Sequence, residues 1–168
     1  MEARPDGLAV TWRYFSLHQI NNRVPGWEIW EQPVDGVRDR HVEALRAFWA
    51  AEAARQQGDA AFWRYHRALL RAAHAENAEL GDPAVLRRLA EQEGLDATRW
   101  QRDAADRSLL RRLQIDHTEA VEQFHVFGTP TFVFPDADPA YLKLTAIPAG
   151  DEALRFWETF QTAVADMP

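Results

Sequence analysis

Hydrophobic positions along this chain change their period twice. Residues Ala9 to Phe15 are rich in β-branched and aromatic types and predict a strand, with Val10, Trp12 and Tyr14 on one face. Residues 16–36 then carry few periodic signals. Asn21-Asn22, Pro25-Gly26, Pro33 and Asp35-Gly36 punctuate a loop, and Trp27 and Trp30 are expected to pin it to the body. From about Arg38 to Arg55 the pattern is helical, with Leu45, Phe48, Trp49 and many alanines, and Gly58 stops it. Asp59 reads as the N-cap of the next helix, whose predicted face is Phe62, His66, Leu69, Leu70 and Ala73.

Asp82-Pro83 is a helix start, a capping residue followed by a proline in the first turn. Val85, Leu86, Leu89 and Ala90 form that helix's stripe, and Gly94 ends it. Asp96 opens a shorter helix containing Trp100. Leu109, Leu110 and Leu113 predict another turn or two, and Ala120, Val121 and Phe124 a separate helix ending near His125. The period then returns to two. Thr131 to Phe134 and Tyr141 to Ile147 read as the arms of a hairpin around a turn at Asp136 to Pro139. Pro148-Ala149-Gly150 breaks it, and Asp151 caps a last helix with Ala153, Trp157, Phe160 and Val164 inward. The order is strand, loop, helical block, hairpin, helix, which predicts a mixed α/β layer carrying a helical insertion. No internal repeat or low-complexity tract divides the chain.

Composition narrows the chemistry. The 168 residues suit one domain, and a chain of this size buries roughly 70% of its unfolded surface without a staple. A net charge of −7 argues against nonspecific nucleic-acid binding, which depends on clustered Lys and Arg. The N-terminus has no apolar signal region, and no run approaches 18 apolar residues, so a cytoplasmic protein without membrane partners is expected. There is no cysteine. That excludes disulfides, Cys-ligated zinc, iron–sulfur clusters and a thiol nucleophile within these residues. His117 and His125 lie eight apart, and no His-Glu-x-x-His pattern is present, so neither a metal nor another cofactor is called for.

Two segments carry a resemblance. Val10-Thr11-Trp12-Arg13-Tyr14-Phe15-Ser16-Leu17 followed by Gln19-Ile20-Asn21, together with Phe124 and Phe127-Gly128-Thr129-Pro130-Thr131-Phe132-Val133, resemble the DsbA-like thioredoxin-fold family. That family includes FrnE-type dithiol oxidoreductases and the 2-hydroxychromene-2-carboxylate isomerases related to kappa-class glutathione transferases. The resemblance implies a thioredoxin-like α/β fold, with residues 1–17 and 118–168 as the thioredoxin-like portion and 37–117 as an inserted helical subdomain. It also implies that the first segment is the family's second strand and Gly128 to Thr131 its proline loop. From the residues alone, Thr129-Pro130 is an ordinary proline before a strand; the resemblance implies a cis bond. Relative to the family, the first strand and the Cys-x-x-Cys helix start are expected to be missing. A strand-helix-strand unit needs roughly 30 residues, and eight precede Ala9.

This departure leaves three functional readings. The first is a redox-inactive relative of a dithiol oxidoreductase, since thiolate exchange needs sulfur. The second is a noncatalytic module that holds a peptide or protein client at Gly128, Thr129, Pro130 and Thr131, with His18 and Trp49 as further candidate binding residues. The third is a glutathione-dependent isomerase relative. Unpaired sheet edges are expected to be filled by the hairpin, by a second copy in a homodimer, or by residues upstream of Met1. Among the remaining candidates, His66 reads as a core histidine with a hydrogen-bonded ring or as a groove residue. Phe48 and Phe62 read as core, and Trp49 and Trp63 as borders of an apolar groove. Arg87-Arg88 and Arg111-Arg112 read as solvated faces, and Glu91, Glu93, Asp103 and Asp106 as exposed carboxylates.

Overall fold

Backbone capping decides most of the helix boundaries. The computed structural model describes residues 10–34, 40–146 and 148–165. They divide into two compact units, up to His117 and from Thr118. In the first unit, residues 10–16 run extended into a short helix α1 (Leu17–Asn21), and a 3-10 turn follows at Ile29–Glu31. Helices α2 (Arg40–Arg55), α3 (Asp59–His74), α4 (Pro83–Gln92) and α5 (Ala97–Asp103) come next. A second 3-10 turn at Arg107–Leu109 leads into α6 (Leu110–Glu122).

Ser16 caps α1 by accepting the Gln19 N–H at 3.1 Å. Asp82 accepts the Ala84 N–H with Pro83 in the first turn of α4, and Asp96 accepts the Arg99 N–H at the start of α5. Gly58 connects α2 and α3 at φ +105, a conformation that any side chain would strain. Gly58 is itself the N-cap of α3, and Asp59 is the first helical residue, so the helix begins one position earlier than the sequence reading.

The core of this unit lies between α2 and α3. Val42, Leu45 and the alanines at 50, 51, 53 and 54 are buried on α2. The buried face of α3 is Ala61, Phe62, Tyr65, Ala68, Leu69 and Ala72. This corrects the predicted stripe: Leu70 is 38% exposed, and Tyr65 is fully buried in its place. A tyrosine reads as borderline by hydropathy, but its hydroxyl is satisfied here by donating to the Leu86 carbonyl at 3.0 Å. Trp100 is likewise buried and donates its indole N–H to the Ala50 carbonyl at 3.0 Å. Trp30 is buried and Trp27 packs against the core, so both hold their loop down as expected.

Two further expectations change. Residues 10–15 are not a paired strand; the described sheet has two strands, both in the second unit. The extended segment is held instead by side chains of α6. Leu109 to Phe124 form one continuous helix plus flanking turns rather than two helices. Arg112 is 40% exposed, as a solvated residue would be, and its Nε also lies 3.0 Å from the buried Asp116 carboxylate, one helical turn away. The predicted helix start at Arg38, the turn at Asp35-Gly36, and Ala9 and Ile147 lie outside the described residues.

The second unit contains β1 (Thr131–Phe132), β2 (Ala140–Tyr141) and α7 (Asp151–Ala165). The strands are antiparallel, with Thr131 opposite Tyr141 and Phe132 opposite Ala140. The hairpin is thus present and shorter than predicted, and Leu144 is exposed. Aromatic rings hold α7 to it. Phe132 lies 5.1 Å from Phe160 and 5.5 Å from Trp157, and Phe134 lies 6.1 Å from Trp157, centroid to centroid. Such pairs add about 1 kcal/mol each beyond the area they bury.

Candidate functional site

The proline loop is built by the hairpin it precedes. The Pro130 carbonyl accepts the Leu142 N–H at 3.0 Å, extending the ladder by one position before β1. Bonded and non-bonded positions alternate along an antiparallel pair. With Pro130 opposite Leu142 in a bonded position, Thr131 turns its own N–H and C=O away from β2. Its hydroxyl donates to the Gly128 carbonyl at 2.7 Å, closing the loop on itself. Thr129 and Pro130 are exposed, and the Thr129–Pro130 bond is cis. Gly128 is buried because Tyr141 lies on it: a Cβ there would sit 3.0 Å from the ring. Phe127, 70% exposed, stands 5.2 Å from that same ring. Val133 and Tyr141 are also exposed, so the outward backbone of Thr131 is flanked by apolar side chains.

The other two candidate binding residues belong to the first unit. His18 is half-buried on α1, where its carbonyl accepts the Asn22 N–H at 3.1 Å. Trp49 is half-buried on α2, and its indole N–H donates to the Asp106 carbonyl at 2.8 Å. The Arg107 guanidinium lies 5.8 Å from the Trp49 ring and donates to the carbonyls of Trp30 and Gln32. Trp49 therefore clasps the 3-10 turn at 107–109 to α2. Gly128, Thr129, Pro130 and Thr131 are brought together; His18 and Trp49 lie on different helices.

An aromatic cleft of about 100 Å³ opens beside the extended segment, lined by Thr11, Trp12, Arg55, Phe62 and Trp63 among others. Trp63 borders it, and Trp49 does not. The Arg55 guanidinium covers the Phe62 ring at 3.4 Å and is paired with the buried Glu52 at 2.7 Å. His66 stacks on Phe62 at 5.3 Å and meets Trp12 at 4.7 Å. Burial, with a smaller contribution from the Arg55 charge, pushes its pKa down to about 4. His66 is thus neutral, as a core histidine would be. Its Nε2 is buried with no hydrogen-bond partner among the described residues, which differs from the hydrogen-bonded ring expected.

The group that sequence reasoning missed is Asp116 with His117 on α6. Asp116 is 1% exposed and takes two arginines, Arg13 at 2.8 Å and Arg112 at 3.0 Å. It also accepts the Tyr14 N–H at 3.2 Å, and His117 Nδ1 accepts the Ser16 N–H at 3.2 Å. No local motif marks this pair, because its meaning lies in backbone some 100 residues away. The available signal was a charged residue on the apolar side of α6, three residues after Leu113.

Among the described residues no cluster of three His, Asp or Glu side chains could hold a metal ion, and no helix is long and apolar enough to cross a membrane. A family model described as a DSBA-like thioredoxin domain matches residues 3–152. No curated protein matches the chain.

Proposed function

Because this chain belongs to the DSBA-like thioredoxin domain family, a family of thiol–disulfide oxidoreductases, we propose that its 168 residues form a redox-inactive relative that holds an extended peptide at the proline loop. The observation that carries this is the outward backbone of Thr131, beside the exposed Pro130 and Phe127, in a sequence with no cysteine. Dithiol exchange proceeds through thiolates and a mixed disulfide, and this chain supplies no sulfur for either. Strand addition requires none. An extended segment gains main-chain hydrogen bonds from the edge and selectivity from side-chain pockets beside it. Phe127, Val133 and Tyr141 favour apolar side chains in the bound segment.

Two assays test this. Insulin reduction and dithiol oxidation by the chain are expected to match buffer, and catalytic turnover would overturn the redox-inactive half. On an array of extended apolar peptides, Thr131→Pro removes the outward N–H while leaving the ladder to β2, and is expected to weaken binding at least tenfold. Pro130→Ala is expected to weaken it as well. Binding unchanged in both variants, with circular dichroism showing that they fold, would overturn the peptide-holding half.

A further inference from the structure

We propose that His117 is a pH-sensitive latch on the segment Tyr14 to Ser16 and on the helix α1 that this segment caps. α6 presents two adjacent side chains to one edge of the extended chain: Asp116 takes the Tyr14 N–H and His117 Nδ1 takes the Ser16 N–H, both at 3.2 Å. Residues two apart in an extended chain direct their N–H groups to the same side. The pair therefore does what the carbonyls of a neighbouring strand would do. The two acceptors differ in one respect. A carboxylate can accept with either oxygen. An imidazole accepts at Nδ1 only while neutral with its proton on Nε2; when a solvent proton binds Nδ1, both nitrogens become donors.

Both partners in this bond are shielded from solvent. Ser16 is 1% exposed and His117 5%. The imidazole lies against Phe15 at 4.8 Å and Trp30 at 5.9 Å. The charged groups around these contacts come from four segments. Asp116 is on α6 itself, balanced by Arg112 on the same helix and Arg13 on the extended segment. Glu28 accepts the Trp30 indole N–H at 2.8 Å, and Arg107 donates to the Trp30 carbonyl. Acidic and basic groups offset one another there, and burial holds the His117 pKa below the ordinary histidine value.

The consequence travels through named bonds. Ser16 Oγ accepts the Gln19 N–H, which starts α1. The Gln19 side chain in turn donates to the Trp27 carbonyl at 3.2 Å and accepts the Ile29 N–H at 2.7 Å. Opening the latch loosens α1, with His18 on it, and the loop from Asn22 to Glu28.

Amide hydrogen exchange of the full chain, resolved by NMR and corrected for intrinsic rates, tests this at pH 7.5 and pH 5. Protection at Ser16, Gln19 and Ile29 is expected to fall at least tenfold at the lower pH, while amides of α3 and α4 keep theirs. His117→Gln retains a carbonyl acceptor without the titration and is expected to abolish the difference. The imidazole ¹⁵N shifts of the unmodified chain at pH 7.5 are expected to show the Nε2–H tautomer, a readout independent of whether the variant folds. Equal protection at the two pH values, an Nδ1–H tautomer, or the same fall in a folded His117→Gln variant would each overturn the proposal.

Discussion

Asp116 holds two arginines and one backbone N–H, and its removal separates several effects at once. Asp116→Ala leaves Arg13 and Arg112 without their carboxylate and the Tyr14 N–H without an acceptor. The two arginines are 47% and 40% exposed and regain water, whereas the buried Tyr14 N–H is left unsatisfied, which costs about 2 kcal/mol; chemical denaturation should show it as a shifted midpoint with an unchanged slope. Asp116→Asn keeps an acceptor for Tyr14 and is expected to cost less. The histidines set a second prediction. Both His66 and His117 have folded pKa values depressed below the free value, so their stabilisation is complete above about pH 6.5 and is lost as pH falls. For His66 the loss continues to about pH 4 and amounts to at most about 3 kcal/mol. A urea midpoint that holds from pH 7 to pH 5 and then stays flat to pH 4 would contradict this. His66 was visible in the sequence because it falls on an apolar helical face. Asp116 was not, because nothing within a few residues of it hints at Tyr14.

At the scale of elements, the caps were the most legible part. Asp82 and Asp96 are where the pattern of capping residue, proline and apolar stripe places them, and Asp82→Ala is expected to cost about 1 kcal/mol by thermal unfolding. Tyr65→Phe should cost a similar amount, since it leaves its space filled and removes one buried hydrogen bond to α4. Tyr65 also shows why the face of α3 was misread by a fraction of a turn. Apolar counting favoured Leu70 over a tyrosine whose hydroxyl finds a carbonyl on another helix. The extended segment failed in a different way. Its period-two alternation is real, with Tyr14 and Ser16 buried and Thr11 and Arg13 exposed. Alternation reports which side faces inward. It does not report whether the hydrogen-bonding edge meets a strand or, as here, the side chains of a helix. In the hairpin, Gly128 marks a position where size matters more than backbone freedom. Gly128→Val is expected to push Tyr141 off the loop and lower peptide binding more than stability, as judged by comparing affinity with melting temperature.

For the molecule as a whole, the family and the α/β thioredoxin-like fold with its helical insertion could be read from two segments and their order, and the match over residues 3–152 bears this out. The activity could not be read in the same way, because a family carries its chemistry in particular atoms and this sequence has no sulfur outside its methionines. The Asp116 clamp has one more consequence, for the order in which the chain assembles. Its bond to Tyr14 joins residues 102 positions apart. Closing a loop of that length costs about 4 kcal/mol of chain entropy, more than the bond returns, until the intervening helices have packed. The segment therefore docks late, after the rate-limiting step. Asp116→Ala should leave the refolding rate nearly unchanged and speed unfolding about thirtyfold in stopped-flow measurements.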